Sequence, residues 1–424
     1  MSATHINSYY AATANDQTRY PKLEGTHKAD VCVVGGGFSG VSTALSLAER
    51  GYSVALVEAQ RIGWGASGRN GGQMIADISG EHRIESQLGE DGRRLLADIR
   101  YLGHDIIERR IEAHQIRCDL KRGWGEVAAR PRHMDMLRAY VEERRAEGDG
   151  DPLELIEPDA MQRVIGSDAY YGAYVDRRSG HLHPLNLCLG EARAAAGLGV
   201  RIFEESPVVS VTGGASPSVV TERGRVDATS IVLAGFLDPS FQTGPLNGLL
   251  FPTGSYIVAT EPLAEDVARE IIPEDLALAD SNVVLDYFRL SADRRLLFGG
   301  RCNYSNRDPG DIRETLRPRM VEVFPQLEGV ALDFAWGGKI DIVLTRVPAI
   351  GRREPNVYYM QGYCGHGVNA THIASEIVSD AISGTMERLD LFEKIRQIRL
   401  PVGQFLGNQM LALGMLYYRL RDLL

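Results

Sequence analysis

The ten residues VCVVGGGFSG, 31–40, set four glycines directly after a run of small apolar side chains. Glycine loses more freedom on folding than any other residue, so such a cluster marks a place where something comes close to the bare backbone. The spacing is Gly35-x-Gly37-x-x-Gly40. It is preceded by ADVCVV and followed by FSGVSTALSLAER, in which Phe38, Val41, Leu45 and Ala48 share one helical face. In a strand–turn–helix of this kind Gly35 permits the tight turn and Gly37 lets the backbone approach a pyrophosphate. Gly40 lets the helix lie close to the sheet. Phe38 and Ser39 open the helix, whose N-terminal N–H groups and dipole favour an anion. Glu58 ends the next apolar strand, SVALVEA, 23 residues beyond Gly35, where a carboxylate can accept from ribose hydroxyls. The combination predicts a dinucleotide site rather than a glycine turn made for packing alone.

The next segment narrows the dinucleotide. EAQRIGWGASGRNGGQM, 58–74, runs on into a second small-residue loop, Gly63 to Gln73. A nicotinamide protein has no use for such a loop here, whereas a flavin protein needs chain that follows the pyrophosphate toward the ring system. GYCGHGVNATH, 362–372, places a second helix start after a second strand, NVYYMQ. Backbone N–H groups from Gly365 to Val368 would stabilise negative charge at the N1–C2=O edge of a reduced flavin.

The rest of the chain has to position these pieces. Its 424 residues exceed what one hydrophobic core holds, which predicts two domains. Hydrophobic residues make up 44% and charged residues 24%, as in globular proteins generally. The net charge of −10, with no basic stripe, argues against a nucleic-acid partner. Neither a signal peptide nor a transmembrane segment is expected, and five scattered cysteines without a CxxC pair fit a reducing cytoplasm. Leu95, Ile99, Leu102 and Ile106 predict one long amphipathic helix over about 83–117. Segments between about 249 and 338 are β-rich. The expected architecture is α/β: a doubly wound, Rossmann-like dinucleotide domain from 1–90, 155–245 and 338–400. A helical insertion over 91–154 and an interleaved α+β substrate domain over 246–337, on a mainly antiparallel sheet, complete it. Residues 401–424 are expected as a C-terminal helix.

Taken together, these motifs resemble the D-amino-acid-oxidase-type FAD-dependent oxidoreductases and, within them, the bacterial gamma-glutamylputrescine oxidases. The resemblance spans nearly the whole chain, from the SYY opening through GWGASGRNGGQM, GHLHPLNL, FPTGSYIVATEPL, WGGKIDIVLTRVPAIGR and YYMQGYCGHGVNATHIASEIV to LALGMLYYRLRDLL. It implies FAD held by Gly35, Gly37, Phe38, Ser39 and Gly40 at the pyrophosphate and by Glu58 at the ribose. Ala59, Arg61, Ala66, Ser67, Gly68, Arg69 and Asn70, then Gly71, Gly72, Gln73 and Met74, would lie along the cofactor. Val208, Ala234 and Gly235, the last two ending VDATSIVLAG, would meet its adenosine half. Gly338, Arg346 and the loop Gly365, His366, Gly367, Val368 and Asn369 would surround the isoalloxazine. Family members that bind flavin covalently through a cysteine carry it near 338–346; that stretch here, GKIDIVLTR, has none, which implies non-covalent FAD.

The implied activity is oxidation of the terminal primary amine of an acylated polyamine to an imine, hydrolysed to an aldehyde and ammonia, with oxygen reduced to hydrogen peroxide. A sarcosine- or D-amino-acid-type enzyme is one alternative, and an FAD-binding electron-transfer subunit is another. Amine oxidation by a flavin requires no protein base, so His366 is a weak catalytic candidate and otherwise a flavin neighbour. Tyr287 and Arg289 share one face of the DYFR strand, where Arg289 could meet a substrate carboxylate or simply sit at the surface. Trp336 and Tyr256 are core aromatics by type and pocket walls by resemblance. His181 and His183 lack a third ligand, so no metal is expected. Ser39 and Ser67 do not fit G-x-S-x-G, which removes a serine nucleophile. In the tail, Leu406, Met410, Leu413, Leu416 and Leu420 recur at helical spacing; packing on the chain itself, self-association and membrane-surface contact are the alternatives.

Overall fold

A computed structural model describes residues 4–148, 150–235, 243–303, 308–400, 407–410 and 412. β1 (Gly25–Val34) enters the glycine turn, the helix Phe38–Glu49 leaves it, and β2 (Val54–Val57) returns alongside. The short β3 (Gln73–Met74) precedes the helices Glu81–Leu88, Glu90–Ile99 and Leu102–His114, and then β4 (Lys121–Val127). Helix Pro131–Ala146 leads to β5 (Leu153–Ile156) and β6 (Ala173–His181), and helix Pro184–Gly197 to β7 (Arg201–Phe203). β8 (Val208–Thr212), β9 (Ser218–Thr221) and β10 (Gly224–Ala234) form an antiparallel arm. β11 (Phe251–Thr260), β12 (Ala277–Asp280), β13 (Tyr287–Leu290) and β14 (Leu296–Asn303) come before the helix Ile312–Val323. β15 (Leu332–Ile342), β16 (Ala349–Glu354) and β17 (Val357–Gln361) lead into the helix Gly367–Ile382.

Two sheets result. The first has the order β16-β17-β10-β1-β2-β7, parallel from β17 to β7, with the β8–β9 ribbon attached to β10. Alternation decides what covers each face. Val31, Val33, Val54 and Leu56 pack under the helices that start at Phe38, Pro184 and Gly367. Cys32, Val34, Ala55 and Val57 point the other way, toward Leu23, Val219 and the β8–β9 ribbon. The second sheet has the order β15-β11-β14-β13-β12-β4-β6-β3, with β5 on β6, and is antiparallel except between β12 and β4.

The second sheet draws on more of the chain than composition suggested. The segment 91–154, expected as a helical insertion, supplies β4 and β5, and β6 of the expected dinucleotide segment 155–245 pairs with both. The single helix expected over about 83–117 is three. Gly89 takes φ 60 and ψ −128, a conformation closed to other residues, and the chain turns again at Arg100 and Tyr101, where Arg100 bonds the Asp77 carboxylate. The expected C-terminal helix, including Leu406, Leu413, Leu416 and Leu420, falls outside the described residues apart from 407–410 and 412, which are helical. No helix among the described residues is long and apolar enough to cross a membrane.

Candidate active site

The glycine turn is as tight as its spacing requires. Gly35 has φ +112, and a Cβ there would stand 2.2 Å from the Ala234 carbonyl oxygen; a Cβ on Gly40 would stand 1.8 Å from Gly35 O. The end of β10 and the helix therefore press on the turn from two sides. No side chain of the N-cap, Gly37, closes the helix Phe38–Glu49; the Phe38 N–H donates to Ser67 Oγ at 2.9 Å. The next N–H groups, Ser39 and Gly40, belong to the helix's first turn and so have no partner four residues back within it, which suits them to an anion. Ser39 Oγ lies 2.9 Å from the Tyr363 hydroxyl, which ties this helix start to the GYCGHG loop.

Glu58 stands beside the turn and is held by it: Oε2 accepts from Gly36 N–H at 2.6 Å and Oε1 from Gln60 N–H at 2.7 Å. Burial pushes its pKa up, and these two donors oppose the shift. Ser206 N–H donates to Glu58 O, which brings the start of β8 and Val208 close to the end of β2. Beyond Gly235 and before Gly367 there is room, since a Cβ at either would meet nothing within 4 Å. Among the described residues, Arg69 Nη2 and His366 Nδ1 are buried without a hydrogen-bond partner, as expected where a bound group is to sit. An FAD fits this donor set: anion donors at one helix start, a carboxylate at the second strand end, and open backbone at the start of the helix Gly367–Ile382.

Several sequence-predicted residues have other work. Arg61, expected along the cofactor, is buried and spends its guanidinium on Glu204 at 2.9 Å and Thr18 O at 2.8 Å. The Asn369 side chain bonds His104 and the Asp77 carbonyl, which leaves only its backbone for a ligand. Within the 66–74 loop, Ala66 and Ser67 carbonyls accept from the Asn70 amide, Gly72 N–H donates back to Asn70, and Gln73 pairs with His181 in the second sheet. Gly338 lies against Arg69 Cβ, and Trp336 Nε1 donates to Arg69 O at 2.9 Å, so β15 flanks this loop. Arg346, at φ 63, is the charged group that shifts His366; burial first and Arg346 second hold the imidazole below its ordinary pKa and therefore neutral.

Of the four expected pocket residues, strand parity separates Tyr256 from the rest. Ile257 and Trp336 face the dinucleotide side, whereas Tyr256 points with Val258, Phe288 and Phe298 into the opposite core under the helix Ile312–Val323. Tyr287 does face inward, its ring against Gly71 and its hydroxyl 3.1 Å from Ser255 Oγ. Arg289 is neither a surface residue nor free for a carboxylate. Only 4% exposed, it donates to Gly71 O at 2.7 Å, Leu182 O at 2.8 Å, Leu290 O at 3.0 Å and Tyr10 OH at 3.2 Å.

The cavity lies farther along the same inner face, at a place the sequence reasoning missed. It measures about 300 Å³. Trp124 and Glu126 of β4 stand opposite Asp176 and Tyr174 of β6, and the neighbours of Trp124 and Glu126 on β12 are the small Ala277 and Ala279. Small side chains on one strand beside large ones on the next leave a hollow. Helix Pro131–Ala146 roofs it with Leu137 and Tyr140, while Asp77, Glu81 and His366 close its other sides. Tyr140 and Tyr174 rings lie 5.1 Å apart, and Trp124 meets Tyr174 edge-on at 5.9 Å with its Nε1–H on Gln73 Oε1. Asp77 pairs with Arg100 at 2.6 Å, and Asp176 accepts from Ser179 and Tyr101. The signal that could have found this wall is GWGEV, a Trp and a Glu two apart on a strand and hence on one face.

Residues 30–381 match the FAD dependent oxidoreductase family, DAO. The chain is 41% identical over 420 residues to the gamma-glutamylputrescine oxidoreductase of Escherichia coli, covering 99% of this chain and 98% of that protein. It is 40% identical over 424 residues to a probable oxidoreductase of Haemophilus influenzae, covering 99% and 97%. The crystal structure of glycine oxidase from Bacillus cereus shares the fold with a TM-score of 0.72 at 18% identity, over 88% of this chain and 99% of the other. L-proline dehydrogenase from P. horikoshii does so with a TM-score of 0.71, also at 18% identity, over 89% and 98%. The parallel strand–turn–helix core, its glycine cradle and a match over most of the length make this chain a member of the DAO family of FAD-dependent oxidoreductases.

Proposed function

We propose that this enzyme oxidises the terminal primary amine of an acylated polyamine of the gamma-glutamylputrescine kind, producing an aldehyde, ammonia and hydrogen peroxide. The observation that carries the reading is the composition of the cavity. Its walls combine three aromatic rings with four carboxylates, and no arginine or lysine lines it among the described residues. Such a surface suits an ammonium group, which aromatic faces and carboxylates both attract. It does not suit a carboxylate on the reacting carbon itself, as in sarcosine or a D-amino acid, which would need a guanidinium there; Arg289, the candidate for that task, has its donors committed to backbone carbonyls and Tyr10. The near-identity in length with the Escherichia coli protein, at 41% identity, supports the same direction.

Bound FAD supplies the two-electron acceptor. The chain's own part is to hold the amine: aromatic walls take the alkyl stem, carboxylates draw in the charged ends, and a neutral His366 adds no positive charge beside the arriving ammonium and can take its proton, which leaves the amine neutral and the charge on the imidazole. The oxidised amine is an imine, which water hydrolyses, and molecular oxygen is proposed as the final acceptor. Five unpaired cysteines support a reducing compartment, the cytoplasm. The test is anaerobic reduction of the flavin by gamma-glutamylputrescine, free putrescine, sarcosine and D-alanine. Fast bleaching by the first, at least about tenfold faster than by putrescine, is expected; bleaching by sarcosine or D-alanine instead would refute the reading, and no bleaching by any would favour an electron-transfer subunit.

A further inference from the structure

Within the cavity, one carboxylate has a different status from the others. Asp77 is paired with Arg100, Asp176 is satisfied by the Tyr101 and Ser179 hydroxyls, and Glu81 begins a helix and feels the Arg100 charge. Glu126 makes no hydrogen bond and no ion pair among the described residues. It projects from β4 with Trp124, stands across from Tyr174, and is half-buried in the cavity wall. The charge that acts on it is another carboxylate, Asp280 of β12. A carboxylate in that position costs stability unless a cation arrives. Nor is it part of the wall nearest the loop that would follow the cofactor: Lys121 at the start of β4 shares His181 with Gln73, Trp124 reaches Gln73 by its Nε1–H, and Glu126 stands two residues farther along the strand, opposite Tyr174.

We propose that Glu126 receives a second cationic group of the substrate, remote from the carbon being oxidised, so that the enzyme selects amines whose second positive charge lies an acyl group's length beyond the four-carbon span of putrescine. The inference rests on the amine-oxidase reading above and adds to it what recognises the far end. In a gamma-glutamyl amide the remote cation is the glutamyl α-ammonium, with Tyr174 and Trp124 flanking it as aromatic faces. The acyl group is then chosen for its positive charge rather than for its carboxylate.

The experiment uses FAD-loaded enzyme under anaerobic conditions and measures the substrate Kd from the concentration dependence of flavin reduction. Gamma-glutamylputrescine is compared with the glutaryl amide of putrescine, which keeps the carboxylate and lacks the remote ammonium. The wild type should bind the gamma-glutamyl compound at least about tenfold more tightly, and Glu126→Gln should bring the two within about twofold, with Glu126→Asp recovering part of the difference. No preference in the wild type, or a preference that survives in Glu126→Gln, overturns the proposal; the wild-type comparison decides even if a variant fails to fold. If no amine reduces the flavin, the amine-oxidase reading fails by itself, and binding of the unreactive dication nonane-1,9-bis(trimethylammonium), whose charges are spaced as in the gamma-glutamyl amide, decides the cavity. Binding by the wild type that Glu126→Gln loses then supports a dication site, and equal binding, or none, overturns it.

Discussion

Arg289 offers the sharpest separation between a residue that binds substrate and one that holds the site together. Replacing it by methionine keeps the length of the apolar stem and removes every donor. The Gly71 and Leu182 carbonyls, bonded at 2.7 and 2.8 Å from residues 218 and 107 positions away in sequence, then lie buried without a donor. An orphaned buried acceptor costs about 1–3 kcal/mol, so two give roughly 4 kcal/mol, reduced somewhat because the variant no longer buries a cation that lacks a carboxylate partner. Unfolding entropy near 2.1 cal/mol/K per residue amounts to roughly 0.9 kcal/mol/K for a chain of this length, so Arg289→Met should lower Tm by about 4 °C. Because Gly71 belongs to the loop that would follow the cofactor, the variant should also release FAD more readily. Thermal unfolding followed by flavin fluorescence reads both effects, and the ratio of rates for gamma-glutamylputrescine and putrescine should stay as in the wild type. A Tm within about 1 °C of wild type, together with a collapse of that ratio, would return Arg289 to the substrate and refute the reasoning.

Three further outcomes are expected. Glu58→Ala removes the acceptor of two backbone N–H groups and the proposed acceptor of the ribose, and should weaken FAD binding by roughly 10- to 150-fold, so that the variant emerges from gel filtration largely colourless; full retention of flavin would refute the assignment. Acid precipitation should release all yellow colour into the supernatant, and colour remaining in the pellet on a peptide containing Cys364 would show a covalent link. Burial holds Glu126 up at about 7, against an ordinary 4.5, so between these values the folded protein keeps a proton that the unfolded chain has lost. Stability from this group therefore falls as pH rises through that window; Glu126→Gln should gain in Tm over the wild type between pH 5 and pH 8, and a constant difference would remove Glu126 from its buried place.

The dinucleotide half was legible because its chemistry is written in glycines. Gly35 and Gly40 have no alternative where a Cβ would strike a carbonyl oxygen at 2.2 or 1.8 Å, and Glu58 follows at the distance a βαβ unit dictates. The substrate half depends on long-range pairing, which local pattern does not carry. Tyr256 and Trp336 look alike as aromatics on strands, and only the register, Ile257 opposite Trp336, shows that they point to opposite faces. Arg289 read as a surface or pocket cation because nothing local reveals four acceptors supplied by residues 10, 71, 182 and 290. β4 lies between three helices and one more, so composition absorbed it into a helical insertion, and with it went Trp124 and Glu126.

That omission bears on where function resides in this fold. Glycine oxidase and proline dehydrogenase share the architecture at 18% identity, so the fold alone does not choose a substrate. On the reading proposed above, the choice falls to side chains on the inner face of the second sheet, and the most costly of these for folding is informative. A leucine or glutamine at 126 would pack beside Tyr174 and Ala279 with no charge to desolvate. The chain instead keeps a carboxylate there, without a cationic neighbour among the described residues, in a hollow lined by rings. Its destabilising effect ends when a cation binds, and the free energy recovered on binding is specific to ligands that bring that charge. Selectivity for a remote ammonium then follows from the same burial that makes Glu126 unfavourable in the free enzyme.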